Sequence, residues 1–120
     1  MHAVREAGFP YLVAESEARV VGYASAKQFR PRPAYRFTVE DSIYIAAGSE
    51  GRGIERLLLT RLIEECRAAG AKQMIGLMVG DNPASVAFHR AHGFEHAGIL
   101  RSVGCKFERW LDLTLMQRAL

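Results

Sequence analysis

Ser42-Ile43-Tyr44-Ile45-Ala46-Ala47-Gly48-Ser49-Glu50-Gly51-Arg52-Gly53-Ile54 is the stretch on which the reading of this chain turns. An apolar strand-like run breaks at three glycines, and a helical pattern follows, with Ile54, Leu57, Leu58, Leu62 and Cys66 on one face. A strand that passes through glycines into a helix presents successive backbone N–H groups at the positive end of the helix dipole. That arrangement is suited to a pyrophosphate.

Upstream, Tyr11 to Ala14 and Val20 to Ala24 read as antiparallel strands joined by the polar turn Glu15 to Arg19. Lys27 to Phe37 contains Pro31 and Pro33, which cannot donate to a central ladder, so it reads as a loop rich in arginine and aromatics. Val39 to Ala46 resumes strand character. Downstream, Gly70 closes the first helix as a C′ residue, and Gln73 to Val79 reads as a buried strand. Asp81 or Asn82 before Pro83 starts a short second helix ending at Gly93. His96 to Val103 and Trp110 to Met116 read as final strands around a glycine-containing loop that holds Cys105. The order is strand, strand, strand, helix, strand, helix, strand, strand: one α+β domain over residues 1–120 without internal repeats.

The 120 residues are 49% hydrophobic and 24% charged, which is globular composition with room for a single core. The net charge of +3 is dispersed, with no block of Lys or Arg; it suits an anionic small ligand and nucleic acid equally weakly and decides nothing alone, and no N-terminal apolar stretch is long enough to span a bilayer, so neither a nucleic-acid nor a membrane partner is assigned. Two cysteines provide no disulfide framework, and the first residues lack a signal-peptide pattern; the cytoplasm is the expected compartment.

A second motif, Asn82-Pro83-Ala84-Ser85-Val86-Ala87-Phe88-His89-Arg90-Ala91-His92-Gly93-Phe94, reads as a capped amphipathic helix with Asn82 as N-cap and Phe88 in the core. The glycine-rich loop after a tyrosine-bearing strand, followed by Asn-x-x-Ser-x-x-x-His and Gly-Phe, resembles the acetyl-CoA motifs of the GNAT superfamily. The tail from Val103 through Gly104, Lys106, Phe107, Trp110 and Asp112 is similar to that of the phosphinothricin and methionine sulfoximine acetyltransferases. The loop from Phe29 to Glu40 shares the likeness, which runs from about Gly8 to Leu120.

The resemblance implies a mixed, mostly antiparallel sheet flanked by helices, with acetyl-CoA as acetyl donor. It implies that Ile43, Tyr44 and Ile45 offer backbone groups to the pantetheine arm. Gly51, Arg52, Gly53, Ile54, Glu55 and Arg56 would cradle the pyrophosphate, and Asn82 with Ser85 would complete that site. Arg30, Pro31, Arg32, Tyr35, Glu40, Asp41, Ser42 and Lys106 match an acceptor pocket for a small amino-acid-like amine. An amine attacks only when neutral, and an α-amino group has a pKa of about 8, so a modest base suffices. Glu40 is assigned that role and His89 is the second catalytic candidate. A zinc reading of His89, His92 and His96 lacks a cysteine or carboxylate in register, so no metal is expected, and Cys105 has no base near it in sequence.

The sequence departs from the family pattern at four places. Glu55 replaces a small residue, usually glycine; Glu50 replaces glutamine or arginine; and Glu108 stands near Lys106. Relatives begin with a strand and two helices, of which His2 to Gly8 resembles only the end of the second helix. An exposed edge and apolar surface follow from that reading, and with them a homodimer. The contrasting expectation, from the two glutamates and the shortened front, is a coenzyme-binding or dimerisation module without turnover.

Overall fold

The computed structural model describes residues 2–6 and 9–120. In chain order these form β1 (His2–Glu6), β2 (Phe9–Ser16), β3 (Arg19–Gln28), a 3-10 turn (Pro33–Tyr35), β4 (Thr38–Ile45), α1 (Ile54–Ala68), β5 (Gln73–Val79), α2 (Pro83–Ala91), β6 (Glu95–Lys106) and β7 (Arg109–Ala119). All seven strands join one sheet in the order β1-β2-β3-β4-β5-β7-β6. Every pairing is antiparallel except β4 with β5.

Local chemistry sets the boundaries. Both helices end in a Schellman motif with glycine in the left-handed region: Gly70 N–H donates to Arg67 and Ala71 N–H to Cys66, while Gly93 N–H donates to Arg90 and Phe94 N–H to His89. α2 begins at Pro83, whose missing N–H costs nothing there, and Asn82 Oδ1 accepts from Ser85 N–H at 3.2 Å. α1 has no side-chain cap; Gly53 stands at its N-cap with φ of 78°.

The buried face of α1, Leu58, Leu59, Leu62, Ile63 and Cys66, packs on β2, β3 and β4. It joins Leu12, Ala24, Val39, Met74, Met78, Phe94 and Met116 in one continuous core. Phe94, 2% exposed, carries the end of α2 into this core. α2 packs on β5.

Several expectations are corrected. His2–Glu6 is a strand, not a helix end: it pairs antiparallel with β2, whose outer N–H and C=O groups would otherwise lack partners. The rest of that stretch, residues 7 and 8, lies outside the described residues. At this side of the sheet the last strand in the order is β1. Cys105 is not in a loop but pairs with Trp110 within the β6–β7 ladder, because the connection shrinks to Phe107 and Glu108 in a left-handed two-residue turn.

Candidate active-site cleft

β4 and β5 pair at only three positions, ending at Glu40 opposite Ile75. Beyond them the strands part, and half of the peptide groups of Asp41–Ile45 face the gap rather than a neighbouring strand. The resulting cleft encloses about 470 Å³, ample for an extended organic ligand. β4 supplies Asp41, Ser42, Ile43 and Ile45, the following loop and α1 supply Glu50, Gly51 and Glu55, β5 supplies Leu77, and α2 supplies Ala84, Ser85, Phe88 and His89.

At one end stands the N-terminus of α1. The first helical hydrogen bond runs from Leu57 N–H to Gly53 C=O, so the N–H groups of Ile54, Glu55 and Arg56 have no intrahelical acceptor. Gly51 and Gly53 have φ of 75° and 78°, and an added Cβ would meet nothing within 4 Å at either. Backbone conformation rather than space therefore calls for glycine. This favours an anion, but Glu55 opposes it: its Oε1 is buried with no hydrogen-bond partner among the described residues.

At the fork of the two strands lies His89. Its Nε2 is 2.8 Å from Asp41 Oδ2 and its Nδ1 is 2.9 Å from the Ser85 carbonyl oxygen, with Ser85 Oγ at 3.4 Å. The ring packs edge-on against Phe94 at 4.8 Å and Phe88 at 5.7 Å. Burial pulls the imidazole pKa down. The Asp41 hydrogen bond, the Asp41 charge and the Ser85 carbonyl outweigh it and hold the pKa above its ordinary value. Asp41 has a side chain only 3% exposed, and its Oδ1 is buried without a partner among the described residues.

Strand alternation separates the two catalytic candidates. Val39, Asp41, Ile43 and Ile45 face the helices, whereas Glu40, Ser42 and Tyr44 share the opposite face with Tyr23 and Lys27. Tyr11, Tyr23 and Tyr44 stack there at 5.4 Å intervals, and Lys27 Nζ is 3.9 Å from Glu40 Oε1. The acceptor candidates are more dispersed. Arg30 and Arg32 are exposed, and the Arg30 guanidinium stacks 4.1 Å over Phe29 and donates to the Phe29 carbonyl. Tyr35 meets Phe29 edge-on, Pro31 lies on the exposed loop, and Lys106 reaches over Phe107 at the β6–β7 tip; none of these lines the cleft.

Among the coenzyme candidates, Ile43, Ile45, Gly51, Glu55 and Ser85 line the cleft, whereas Tyr44, Arg52, Gly53, Ile54, Arg56 and Asn82 flank it. The three histidines diverge: His92 Nδ1 donates to Phe88 C=O, and His96 borders a different hollow beside Gln73 and Arg118. Among the described residues no group of three or more potential metal ligands occurs, and no helix is long and apolar enough to cross a membrane. Leu77 and Ala84 are cleft-lining residues that the motifs did not single out, and Phe88, read as a core residue, packs against the core and also lines the cleft.

Residues 1–115 match the acetyltransferase (GNAT) domain family. The chain belongs to the GNAT family. This GNAT chain is 53% identical over 119 residues to a phosphinothricin N-acetyltransferase of Alcaligenes faecalis, covering 98% of the chain and 60% of that relative. It is 43% identical over 110 residues to an L-methionine sulfoximine/L-methionine sulfone acetyltransferase of Salmonella typhimurium, covering 92% of the chain and 64% of that relative. The GNAT phosphinothricin acetyltransferase structure from Sinorhizobium meliloti, in complex with AcCoA, superposes with a TM-score of 0.90 at 50% identity, covering 94% of the chain and 62% of that structure. This GNAT chain thus spans less than two thirds of the length of these relatives, and its mixed, mostly antiparallel fold is that of the family.

Proposed function

We propose that this chain, as one domain over residues 1–120, transfers an acetyl group from acetyl-CoA to the amine of a small amino-acid-like acceptor of the phosphinothricin and methionine sulfoximine type. The observation that carries the reading is the cleft where β4 leaves β5, with unpaired strand backbone along one wall and the free N–H groups of α1 at its end. Those features suit a long amide-bearing arm ending in a diphosphate. Bound there, acetyl-CoA would supply a thioester, so that the acceptor nitrogen would bond to its carbonyl carbon as the C–S bond breaks and coenzyme A leaves as the thiol.

Ile43, Tyr44 and Ile45 would present backbone groups to the arm, and an N–H of this strand would meet the developing oxyanion. Gly51 to Arg56 would hold the diphosphate, with Asn82 and Ser85 at the facing helix start. Glu40 would approach from the opposite face of β4 and take the amine proton, with Lys27 Nζ 3.9 Å from its Oε1. Arg30, Pro31, Arg32, Tyr35, Ser42 and Lys106 would gather around the acceptor, with a guanidinium fork on its carboxylate. That gathering requires their exposed side chains to converge.

A homodimer in the cytoplasm belongs to the same proposal. Val103, Phe107 and Trp110, at 57%, 85% and 69% exposure, lie on the β6–β7 hairpin, an apolar surface that a second copy would cover. Neither cysteine is disulfide-bonded, which suits a reducing compartment.

The second reading, a coenzyme-binding module without turnover, is favoured by one observation, the buried Glu55 Oε1 that has no partner among the described residues, on a side chain lining the cleft where the diphosphate would lie. Thiol release from acetyl-CoA with a panel of amino acids including methionine sulfoximine decides between them. Glu40→Gln is expected to lower kcat by roughly 10²–10⁴-fold while leaving coenzyme affinity unchanged. Coenzyme binding without release from any acceptor would establish the second reading.

A further inference from the structure

Gly76 lies inside β5, in a run of apolar residues where a side chain would ordinarily pack. A Cβ there would stand 2.8 Å from His89 Cδ2, closer than real Cβ contacts come, and a tight 3.0 Å from Nε2. The edge contacts with Phe88 and Phe94 leave the ring little room to retreat. Glu40 and Ile75 are the last pair of the parallel ladder, so Asp41 and Gly76 are the next residue on each strand. His89 lies against one and bonds the other.

We propose that Gly76, His89 and Asp41 form a cationic wedge that fixes the opening between β4 and β5, with Gly76 as the positioning residue that admits the ring. The proposal deepens the reading of the cleft as the coenzyme site and rests on it. The proton count follows from geometry. The Ser85 carbonyl can only accept, and a carboxylate can only accept, so filling both contacts requires N–H on both ring nitrogens. An imidazolium so held has no lone pair to take a proton from an amine. His89 is therefore a spacer with a fixed charge rather than a base, which leaves Glu40, on the other face, to do that work.

The charged groups facing His89 are Asp41 from β4 and, across the cleft it lines, Glu50 and Glu55 from the loop and first turn of α1. β5 presents Gly76, α2 presents Ser85 and Phe88, and Phe94 packs against the ring, all uncharged. Every charge near the ring thus favours the imidazolium.

Titration of the histidine side chains by NMR in the ligand-free chain tests the wedge, alongside calorimetric titration with coenzyme A. His89 is expected to titrate above an ordinary histidine in the wild type and to fall in both Gly76→Ala and the isosteric Asp41→Asn. Gly76→Ala is expected to weaken coenzyme A by about tenfold, yet by less than about twofold when introduced into His89→Ala, where the added methyl meets no ring. An ordinary His89 titration in the wild type, or an equal loss from Gly76→Ala in both backgrounds, overturns the wedge. If the wild type fails to bind coenzyme A while His89 still titrates high and falls in both variants, the wedge stands as the device holding the fork and the coenzyme reading fails alone.

Discussion

Glu55 occupies the second helical position of α1, where its charge complements the helix dipole while its buried Oε1 has no partner among the described residues. The first effect is worth about 0.3–1 kcal/mol of stability, and the second opposes any anion placed on the same N–H groups. Glu55→Gly is therefore expected to tighten coenzyme A by about three- to tenfold while costing roughly 1 kcal/mol of helix stability. Calorimetric titration and thermal unfolding read the two separately, and unchanged affinity would refute the repulsion. At this scale the sequence was most and least legible in neighbouring residues. The resemblance puts Asp41 with Glu40 in one acceptor pocket, yet strand alternation sends the two side chains to opposite faces of β4. Gly76 did carry a signal, as an isolated glycine inside an apolar strand marks a close approach, but what approaches is the ring of His89 from another element.

The β2–β3 and β6–β7 turns, each two residues long, are built without glycine. Glu17 and Ala18 have φ of 53° and 63°, and Phe107 and Glu108 have 53° and 61°. The left-handed region costs a non-glycine residue about 1 kcal/mol, so Ala18→Gly is expected to raise the Tm by roughly 2–5 °C. A scan showing no rise would mean that the β2–β3 turn is not strained. These turns also explain where element boundaries were misread. Turn-forming residues mark hairpins in a sequence, and their lack between Lys106 and Arg109 made β6 and β7 read shorter, with a loop between them, than the ladder from Glu95 to Ala119 that forms. The helices, by contrast, were legible almost to the residue, because Asn82, Pro83, Gly70 and Gly93 are chemical signals that act where they stand.

For the molecule as a whole, the β6–β7 hairpin is the surface on which the proposed assembly rests. Its exposed Val103, Phe107 and Trp110 are expected to be covered by a second copy. Trp110→Glu would then shift sedimentation from dimer to monomer with the fold intact by circular dichroism; a wild-type chain that is already monomeric at micromolar concentration would remove the dimer. The strand order followed from no local pattern, since placing β7 between β5 and β6 depends on pairing across the chain. Only the family resemblance supplied a mixed sheet in advance.

The three-residue junction between β4 and β5 has a mechanical corollary. α1 fastens β2, β3 and β4, and α2 fastens β5, so the two halves of the sheet share a core but almost no ladder across the junction. Local opening starts where backbone hydrogen bonds are fewest. In deuterium exchange the peptide groups lining this seam would label first, and a molecule bridging it would act as a rivet, slowing exchange on both banks at once.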